Sequence, residues 1–270
     1  MTGYGLALSE AEVARYRAMA QTAAADEADQ WVAAGIVAGA TVADVGCGPG
    51  ATSVVIAELV GPAGRVDAVD RDPEALVLGR HAAQQAGLAN LVFSEGAADA
   101  TGLVPESADV VMMRHVLAHN GGREQAIVDH LVSLVRPGGA VYLADVEATA
   151  IRWYPVEDVA VLADIYERYR QFHAGLANDL SVGLRLGELL EQAGLEKVNH
   201  KGQYSVVRPR AGMRPPPWAA REQMLSAGVI TKSDIARWQV DFERLDQGET
   251  SFTMFVPHFT AFARKPSTTH

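Results

Sequence analysis

The sequence predicts an α/β protein built around a doubly wound, mostly parallel sheet. Short apolar runs of strand length alternate with helical patterns between Val42 and Val146. The stretch Val42–Gly50 (VADVGCGPG) combines a strand with a glycine-rich turn, and a helix begins near Ala51 or Thr52. This alternation places helices on both faces of a parallel sheet, whose ligands lie at the carboxyl ends of the strands.

The glycine turn predicts a ligand that touches bare backbone. Glycine tolerates positive φ and has no Cβ, and the following helix offers free N–H groups to an anion. The spacing Gly46-x-Gly48-x-x-Ala51 satisfies the loose dinucleotide fingerprint, so a dinucleotide is one possible ligand. Two residues favour another class: Asp44 at the strand end suits an ammonium group, and Pro49 lacks the N–H that a pyrophosphate requires.

The pattern Asp44-x-Gly46-x-Gly48-x-Gly50 resembles motif I of the class I S-adenosylmethionine-dependent methyltransferases, in their small-molecule (UbiE-like, type 11) group. The resemblance covers the core from about Trp31 to Val146 and is looser elsewhere. It implies a Rossmann-like sheet of seven strands with an antiparallel last strand, and S-adenosyl-L-methionine as cofactor with S-adenosyl-L-homocysteine as product. The implied cofactor-binding residues in the turn are Asp44, Gly46, Cys47, Gly48 and Gly50.

Composition narrows the partners. The chain of 270 residues has 23 Lys and Arg against 33 Asp and Glu, a net charge of −10, which disfavours a nucleic-acid or anionic membrane surface. A small molecule is the expected partner. Cys47 is the single cysteine, which excludes an intrachain disulfide and a cysteine-rich zinc site and favours the reducing cytoplasm. The sequence has neither an export signal pattern nor an apolar run of membrane-spanning length.

Residues 1–40 are predicted to be helical. The run Ser9-Glu10-Ala11-Glu12 is a capping-box signature, and apolar residues follow it at helical spacing. In methyltransferases that this chain resembles, such a helix closes over the cofactor, which implies that Tyr4, Tyr16 and Gln21 face it. The alternative is that Tyr16 and Met19 only pack on the core.

Asp70 ends the second predicted strand, Arg65–Asp70, which follows a helix over Thr52–Leu59. An acid at this position accepts hydrogen bonds from both ribose hydroxyls in nucleotide-binding folds, and Arg71 beside it is a further cofactor contact. Asp72 is the predicted N-cap of the next helix, Pro73–Ala86.

The next two strands carry further contacts that the resemblance implies. After the third strand, Asn90–Phe93, Asp99 matches the acid that binds the adenine amino group, with the backbone of Ala98 and Ala100 beside the ring. After the fourth, Asp109–Met113, the carbonyl of Arg114 accepts from the cofactor's ammonium group and Val116 covers the adenine or ribose.

Three histidines are candidate bases. His115 and His119 lie one helical turn apart, and His173 belongs to a later helix. The spacing of the first two also suits a metal, but no Glu lies between them and no third ligand is nearby, so we expect no metal.

Two segments depart from the strand and helix alternation. After a predicted turn, Arg136–Gly139, and the fifth strand, Ala140–Val146, residues 148–194 form a helical cap with a second helix over Leu184–Ala193. Its Trp153, Tyr154 and His173 are predicted to contact the acceptor, although most of its aromatic residues are expected to be core.

The second departure is the insertion 208–249, which contains Pro215–Pro217, a helix near Trp218–Ala227 and a capping box from Thr231 to Asp234. We expect it to shape the acceptor pocket or a homodimer contact. It separates a sixth strand, Val198–Val207, from the last, His258–Arg264. The chain is thus predicted to be one domain, with a lid (1–40), a cofactor core (41–147), caps (148–194 and 208–249) and final strands (195–207 and 250–265).

The predicted activity is methyl transfer to a small natural-product or quinone-like acceptor. Oxygen is the favoured nucleophile, for which His115, His119 or His173 would be the base; nitrogen and carbon are the alternatives. A nicotinamide oxidoreductase is a rival class, but no tyrosine has a lysine four residues later. A non-catalytic cofactor-binding protein is the other.

Overall fold

One mixed sheet with helices on both faces forms the frame of the protein in this computed structural model, which describes residues 10–155, 159–248 and 252–267. The strands are β1 (Thr41–Val45), β2 (Arg65–Asp70), β3 (Leu91–Glu95), β4 (Ala108–Arg114), β5 (Val135–Val146), β6 (Arg152–Tyr154), β7 (Glu196–Val207) and β8 (Thr253–Arg264). The helices are α1 (Glu10–Asp26), α2 (Ala28–Ala34), α3 (Ala51–Val60), α4 (Pro73–Gln85), α5 (Glu124–Leu134), α6 (Ala160–Gly175), α7 (Leu186–Gln192), α8 (Pro216–Ala219), α9 (Arg221–Ser226) and α10 (Lys232–Asp246).

The strand order is β3-β2-β1-β4-β5-β8, with both β6 and β7 also paired to β8. The first five strands are parallel, whereas β8 is antiparallel to β5, β6 and β7. Chain direction therefore brings the carboxyl ends of β1, β2, β4 and β5 to one edge of the sheet. The predicted mostly parallel sheet with an antiparallel last strand is confirmed.

Alternate residues of the central strands bury opposite faces of the sheet, as the pleat of a strand requires. In β4, Val111 and Met113 belong to one apolar cluster, which α5, α6 and α7 cover. Val110 and Met112 belong to the other, which includes Trp31 of α2 together with residues of α3 and α4. Both clusters are fully buried, so the sheet is the middle of three layers.

Two helix starts agree with their sequence signals. The Asp72 carboxylate accepts from the backbone N–H of Glu74 and Ala75 at the start of α4. At the start of α10 the Thr231 side chain accepts from the Asp234 backbone, and the Asp234 side chain accepts in return. Both caps satisfy N–H groups that a helix leaves without an internal partner. The capping box predicted at Ser9 lies outside the described residues.

Several predicted boundaries were wrong. Residues 152–154 form the short strand β6 rather than part of a helical cap, so the described sheet has eight strands instead of seven. The predicted turn at Arg136–Gly139 lies within β5, whose pairing with β4 shifts register there. The helix predicted over Trp218–Ala227 is divided into α8 and α9. Within the predicted lid, α2 is instead part of a core layer, because Trp31 is only 1% exposed.

Candidate active site

A cavity of about 1010 Å³ opens at the carboxyl edge of the parallel strands. Pockets for drug-sized ligands occupy roughly 300–1,000 Å³, so this cavity has room for a cofactor and a second small molecule. It is bounded by α1, the ends of β1, β2, β4 and β5, and the two segments predicted as caps. Thirteen of the residues predicted for the site line it, namely Tyr16, Asp44, Gly46, Cys47, Gly48, Asp70, Arg71, Ala98, Arg114, His115, Val116, His119 and Tyr154.

The three glycines of the turn differ in what surrounds them. All have positive φ, of 79°, 53° and 73° at Gly46, Gly48 and Gly50. A Cβ at Gly46 would meet the Val116 side chain at 2.3 Å, and one at Gly50 would meet the Phe93 ring at 2.6 Å. Nothing lies within 4 Å of a Cβ at Gly48. Gly48 therefore exposes backbone to the cavity, whereas Gly50, which does not line it, permits close packing.

Asp44 is a buried carboxylate at the end of β1, with 3% of its surface exposed. The Ser53 hydroxyl donates to its Oδ2 at 2.6 Å. Burial raises its pKa to about 6, against the hydrogen bond from Ser53 and the charge of Arg114, which lower it. The ionised form thus lacks a full counter-charge, and a cation in the cavity would supply one.

Asp70 ties the glycine turn to the end of β2. Its Oδ2 accepts from the Gly48 backbone N–H at 2.7 Å and its Oδ1 from that of Asp72 at 2.9 Å. Each carboxylate oxygen retains capacity for a further hydrogen bond. Asp70 and its neighbour Arg71 both line the cavity.

Cys47 lies between these two acids. Burial, together with the charges of Asp44 and Asp70, raises the pKa of its thiol well above the usual value. The thiol is therefore protonated at neutral pH, which disfavours a role as nucleophile. Cys47 contributes to the shape of the cavity wall beside Gly48.

Of the three residues predicted to contact the adenine ring, only one lines the cavity. Ala98 lines the cavity, but Asp99 and Ala100 do not. The Asp99 carboxylate accepts from Arg123, which is itself part of the cavity wall, in a half-exposed ion pair. The Ala100 backbone pairs with Ala97 in a tight turn.

A buried network behind Arg114 had no signal in the sequence. Glu27, 1% exposed, accepts from Arg114 Nη2 at 2.5 Å and Tyr142 Oη at 2.7 Å, and lies 2.9 Å from His258 Nε2. The Trp31 indole donates to it at 3.2 Å. Burial works to raise the pKa of Glu27, but the His258 hydrogen bond and the Arg114 charge outweigh it and lower the pKa to about 2. Four elements thus meet at one carboxylate, which fixes the side chain of Arg114.

His115 is the candidate base with an acidic neighbour. Its backbone adopts φ of 57°, and its Nδ1 lies 3.9 Å from Oδ1 of Asp145. Burial lowers the pKa of the imidazole well below 6.5, with a further contribution from the Arg114 charge. The ring is therefore neutral at pH 7 and able to accept a proton.

Asp145, at the end of β5, was not predicted, since nothing local distinguishes it from other strand-end acids. It is 1% exposed and accepts from the backbone N–H of Val146 at 2.9 Å and Ala118 at 3.2 Å. Burial raises its pKa to about 6. It lines the cavity beside His115.

The other two histidines form a pair, their rings 5.1 Å apart. His119 lines the cavity, and burial followed by the charge of His173 lowers its pKa to about 3. His173 does not line the cavity; it is 5% exposed, packs against Tyr169 and lies 2.8 Å from the Asn178 amide. Burial lowers its pKa to about 4. The charge of His173 thus opposes protonation of His119.

Some of the residues predicted to contact the acceptor or to belong to the lid line the cavity, and others do not. Tyr154 lines the cavity, whereas Trp153 stacks on Tyr166 and does not. On α1, Tyr16 faces the cavity with the Arg15 guanidinium 4.9 Å above its ring. Gln21 is exposed and does not line the cavity, and Tyr4 lies outside the described residues.

Two further findings concern the described residues as a set. No group of three or more His, Cys, Asp and Glu side chains there has the arrangement of a metal site. None of the helices in that part of the chain is long and apolar enough to cross a membrane.

Comparison of the sequence with known proteins finds a matching family and several relatives. A family model described as a methyltransferase domain matches residues 36–194, more than half of the chain. An arsenite methyltransferase from Halobacterium salinarum is 32% identical over 117 residues, which cover 43% of this chain and 30% of that protein. A protein described as a probable cobalt-precorrin-6B C(15)-methyltransferase from Pyrobaculum aerophilum is 32% identical over 112 residues, covering 41% and 55%. The chain thus spans about half or less of these relatives.

Structural comparison extends the likeness to the fold. The crystal structure of an S-adenosylmethionine-dependent methyltransferase from Aquifex aeolicus superposes with a TM-score of 0.51 over 91% of this chain and 97% of that one. The two sequences are 16% identical. At this level of identity the likeness is one of fold.

Proposed function

Because the chain belongs to the methyltransferase domain family, whose class I members use S-adenosylmethionine, we propose that it transfers the cofactor's methyl group to a small-molecule acceptor. A hydroxyl oxygen on a natural-product or quinone-like molecule is the favoured nucleophile. The observation that carries the proposal is the cavity, which brings Asp44, Gly48, Asp70 and His115 together around one space. The single cysteine agrees with a reducing compartment such as the cytoplasm.

The cofactor wall, formed by Asp44, Gly48, Asp70 and Val116, has the chemistry to bind S-adenosylmethionine. Asp44 is a buried carboxylate whose ionised form lacks a full counter-charge, which matches the ammonium group. Asp70 has hydrogen-bonding capacity left for ribose hydroxyls, and Gly48 leaves space for the ligand to approach the backbone. Val116 lies against the turn at Gly46, where it would cover the nucleoside. Asp99 remains a proposed adenine contact, one that would have to exchange Arg123 for the ring.

His115 is the proposed general base, and Asp145 distinguishes it from the other histidines. When bound, the cofactor supplies an electrophilic methyl group on a sulfonium centre. A neutral His115 takes the proton from the acceptor hydroxyl, and the Asp145 carboxylate at 3.9 Å stabilises the resulting imidazolium. Both rings have a histidine neighbour, His258 for His115 and His173 for His119, so the choice of His115 rests on the Asp145 carboxylate beside it. Catalytic contacts often shorten when substrate binds, so the apo distance is compatible with this role.

The acceptor half of the cavity is mostly apolar. Leu162, Tyr166 and Tyr169 of α6 and Met254 and Val256 of β8 line it. An aromatic or quinone-like body would bury its surface against these side chains, and such positioning can supply about 7–11 kcal/mol of the barrier reduction. Transfer to nitrogen or carbon would use the same walls without the base.

The nicotinamide oxidoreductase is no longer a competing class. The antiparallel β8 between β5 and β7 is the reversed strand expected of methyltransferases, and the family match covers the glycine turn. A non-catalytic cofactor-binding protein would need a closed acceptor site. The cavity here extends well beyond the cofactor wall, which supports an enzyme.

Isothermal titration with S-adenosylhomocysteine, and separately with NADH, tests the cofactor assignment. Asp70→Ala should weaken S-adenosylhomocysteine at least tenfold, or about 1.4 kcal/mol. Asp67→Ala is the matched control, because Asp67 belongs to the same strand but pairs with Arg65 and does not line the cavity. Binding of NADH alone, or equal losses in the two variants, would contradict the proposal. A positive result leads to a screen of phenols, hydroxyquinones and amines, with methylated product detected by mass spectrometry.

A further inference from the structure

The outer wall of the cavity is formed by the segment that follows β7. Arg208, Arg210 and Arg214 of this segment line the cavity together with apolar neighbours such as Met213 and Pro215. The wall is therefore apolar and cationic, in a protein whose net charge is −10.

Two of these arginines are not neutralised. Arg214 forms an ion pair with Asp246 at 2.6 Å. The side chains of Arg208 and Arg210 are exposed and make no hydrogen bond, ion pair or ring contact with any residue in the described part of the chain. The Arg and Lys side chains that share this property are Arg17, Lys197, Lys201, Arg208, Arg210 and Lys232. Within that set, only Arg208 and Arg210 line the cavity.

The backbone that carries these two side chains is fastened in place. The Met213 N–H donates to the Arg210 carbonyl at 3.0 Å and closes a turn. The Gly212 N–H donates to Asp246 Oδ1 at 2.7 Å, while Arg214 binds the other oxygen of the same carboxylate. Asp246 thus anchors the turn to the end of α10, so that little ordering is required when a ligand arrives.

The acids of the cavity lie elsewhere. Asp44, Asp70 and Asp145 are at the ends of their strands, Asp72 caps α4, and Asp246 is occupied by the turn. Carboxylates and the arginines Arg15, Arg71, Arg114 and Arg123 line the rest of the cavity, whereas the outer wall presents the guanidinium groups of Arg208 and Arg210 without an acidic partner among the described residues. A guanidinium presents paired N–H donors that match carboxylate and phosphate oxygens.

We propose that Arg208 and Arg210 bind a carboxylate or phosphate group of the methyl acceptor, at the end of the molecule remote from the transferred methyl group. This inference rests on the proposed function and adds the acceptor's charge class to it. The anionic group holds the acceptor at the outer wall while its apolar body lies against β8 and α6. Binding energy from a remote group of this kind orients the reacting atoms.

Titration calorimetry on the protein saturated with S-adenosylhomocysteine provides the test. One arm compares 4-hydroxybenzoate with neutral 4-hydroxybenzamide, and the other compares phenyl phosphate with phenol. We expect at least one anion to bind tenfold or more tightly than its neutral partner. The double variant Arg208→Gln/Arg210→Gln should abolish that preference. The control Lys201→Gln/Lys232→Gln, which removes two exposed unpaired charges outside the cavity, should retain it.

Each outcome decides the proposal. A tenfold preference that only the arginine variant loses supports it, and the arm in which it occurs identifies carboxylate or phosphate. Equal binding within both pairs, a preference that survives the arginine variant, an equal loss in the control, or absence of anion binding up to about 10 mM overturns it. Repeating the anion pairs on ligand-free protein separates this result from a failure of S-adenosylhomocysteine to bind, which would refute the proposed function instead.

Discussion

Replacing Glu27 with glutamine should destabilise the protein more than any exposed charge change. The folded-state pKa of Glu27 is about 2 against an ordinary value of 4.5. At about 1.36 kcal/mol for each pH unit, this difference corresponds to about 3 kcal/mol of stability at neutral pH. An independent scale agrees, because removing one partner of a buried ion pair leaves the other charge uncompensated, at about 3–5 kcal/mol. We therefore expect Glu27→Gln to lower the free energy of unfolding by about 3 kcal/mol at pH 7.

The pH dependence follows from the direction of the pKa change. A carboxyl whose pKa is lowered by folding stabilises the protein above its unfolded pKa, and that stabilisation is lost as the pH falls through the folded value. The difference between wild type and Glu27→Gln should therefore be full above about pH 5 and fall to roughly half by pH 3. Urea unfolding followed by tryptophan fluorescence measures it, since Trp31 donates to Glu27.

The control is Glu188→Gln, the same change in an exposed ion pair with Arg185. Its effect should stay below about 1 kcal/mol, as for other surface pairs. A loss of less than about 1 kcal/mol in Glu27→Gln at pH 7 would refute the reasoning. So would a difference between Glu27→Gln and wild type that does not shrink on acidification.

Three further predictions concern the site. Asp44→Asn should raise the free energy of unfolding of the ligand-free protein by up to about 3 kcal/mol, because burial raises the Asp44 pKa to about 6 and so disfavours the ionised form. The same variant should bind S-adenosylhomocysteine more weakly. A loss of stability in Asp44→Asn would contradict the first expectation. Gly50→Ala should be more destabilising in urea than Gly212→Ala by about 1–3 kcal/mol, since both glycines have positive φ but only Gly50 would place a Cβ against Phe93. His115→Asn should lower kcat about 10²–10⁴-fold on a hydroxyl acceptor, with wild-type activity flat from pH 7 to 8 because burial lowers the pKa of His115; an unchanged kcat would instead favour transfer to nitrogen or carbon.

Local patterns in the sequence predicted the cofactor wall well. The order of strand, glycine turn and helix brings Asp44 and Gly48 together, and the next strand end supplies Asp70. Caps such as Asp72 and Thr231 were equally readable, because their partners lie within three residues. In each case the residues that interact are close in the chain or belong to consecutive strands of a repeating unit.

Contacts between distant parts of the chain could not be predicted from the sequence. Glu27 and His258 are 231 positions apart, and neither has a local feature that sets it apart from surface residues. The strand β6 is three residues long and is defined by its pairing with β8, about a hundred positions later. The positive charge of the outer wall depends on which of its arginines pairs with Asp246. That partner is Arg214, and the pairing is visible only in the folded structure.

The position of β8 has a consequence for how the protein is made on the ribosome. It is 12 residues long and the last strand of the described part of the chain, yet it lies between β5 and β7. Until residues 253–264 leave the ribosome, the nascent chain therefore carries two open strand edges, each a template for pairing with another chain. His258 also arrives late to the Glu27 network. We expect the emergence of residues 253–264, rather than completion of the glycine-rich half, to close both strand edges and reduce the risk of aggregation during synthesis.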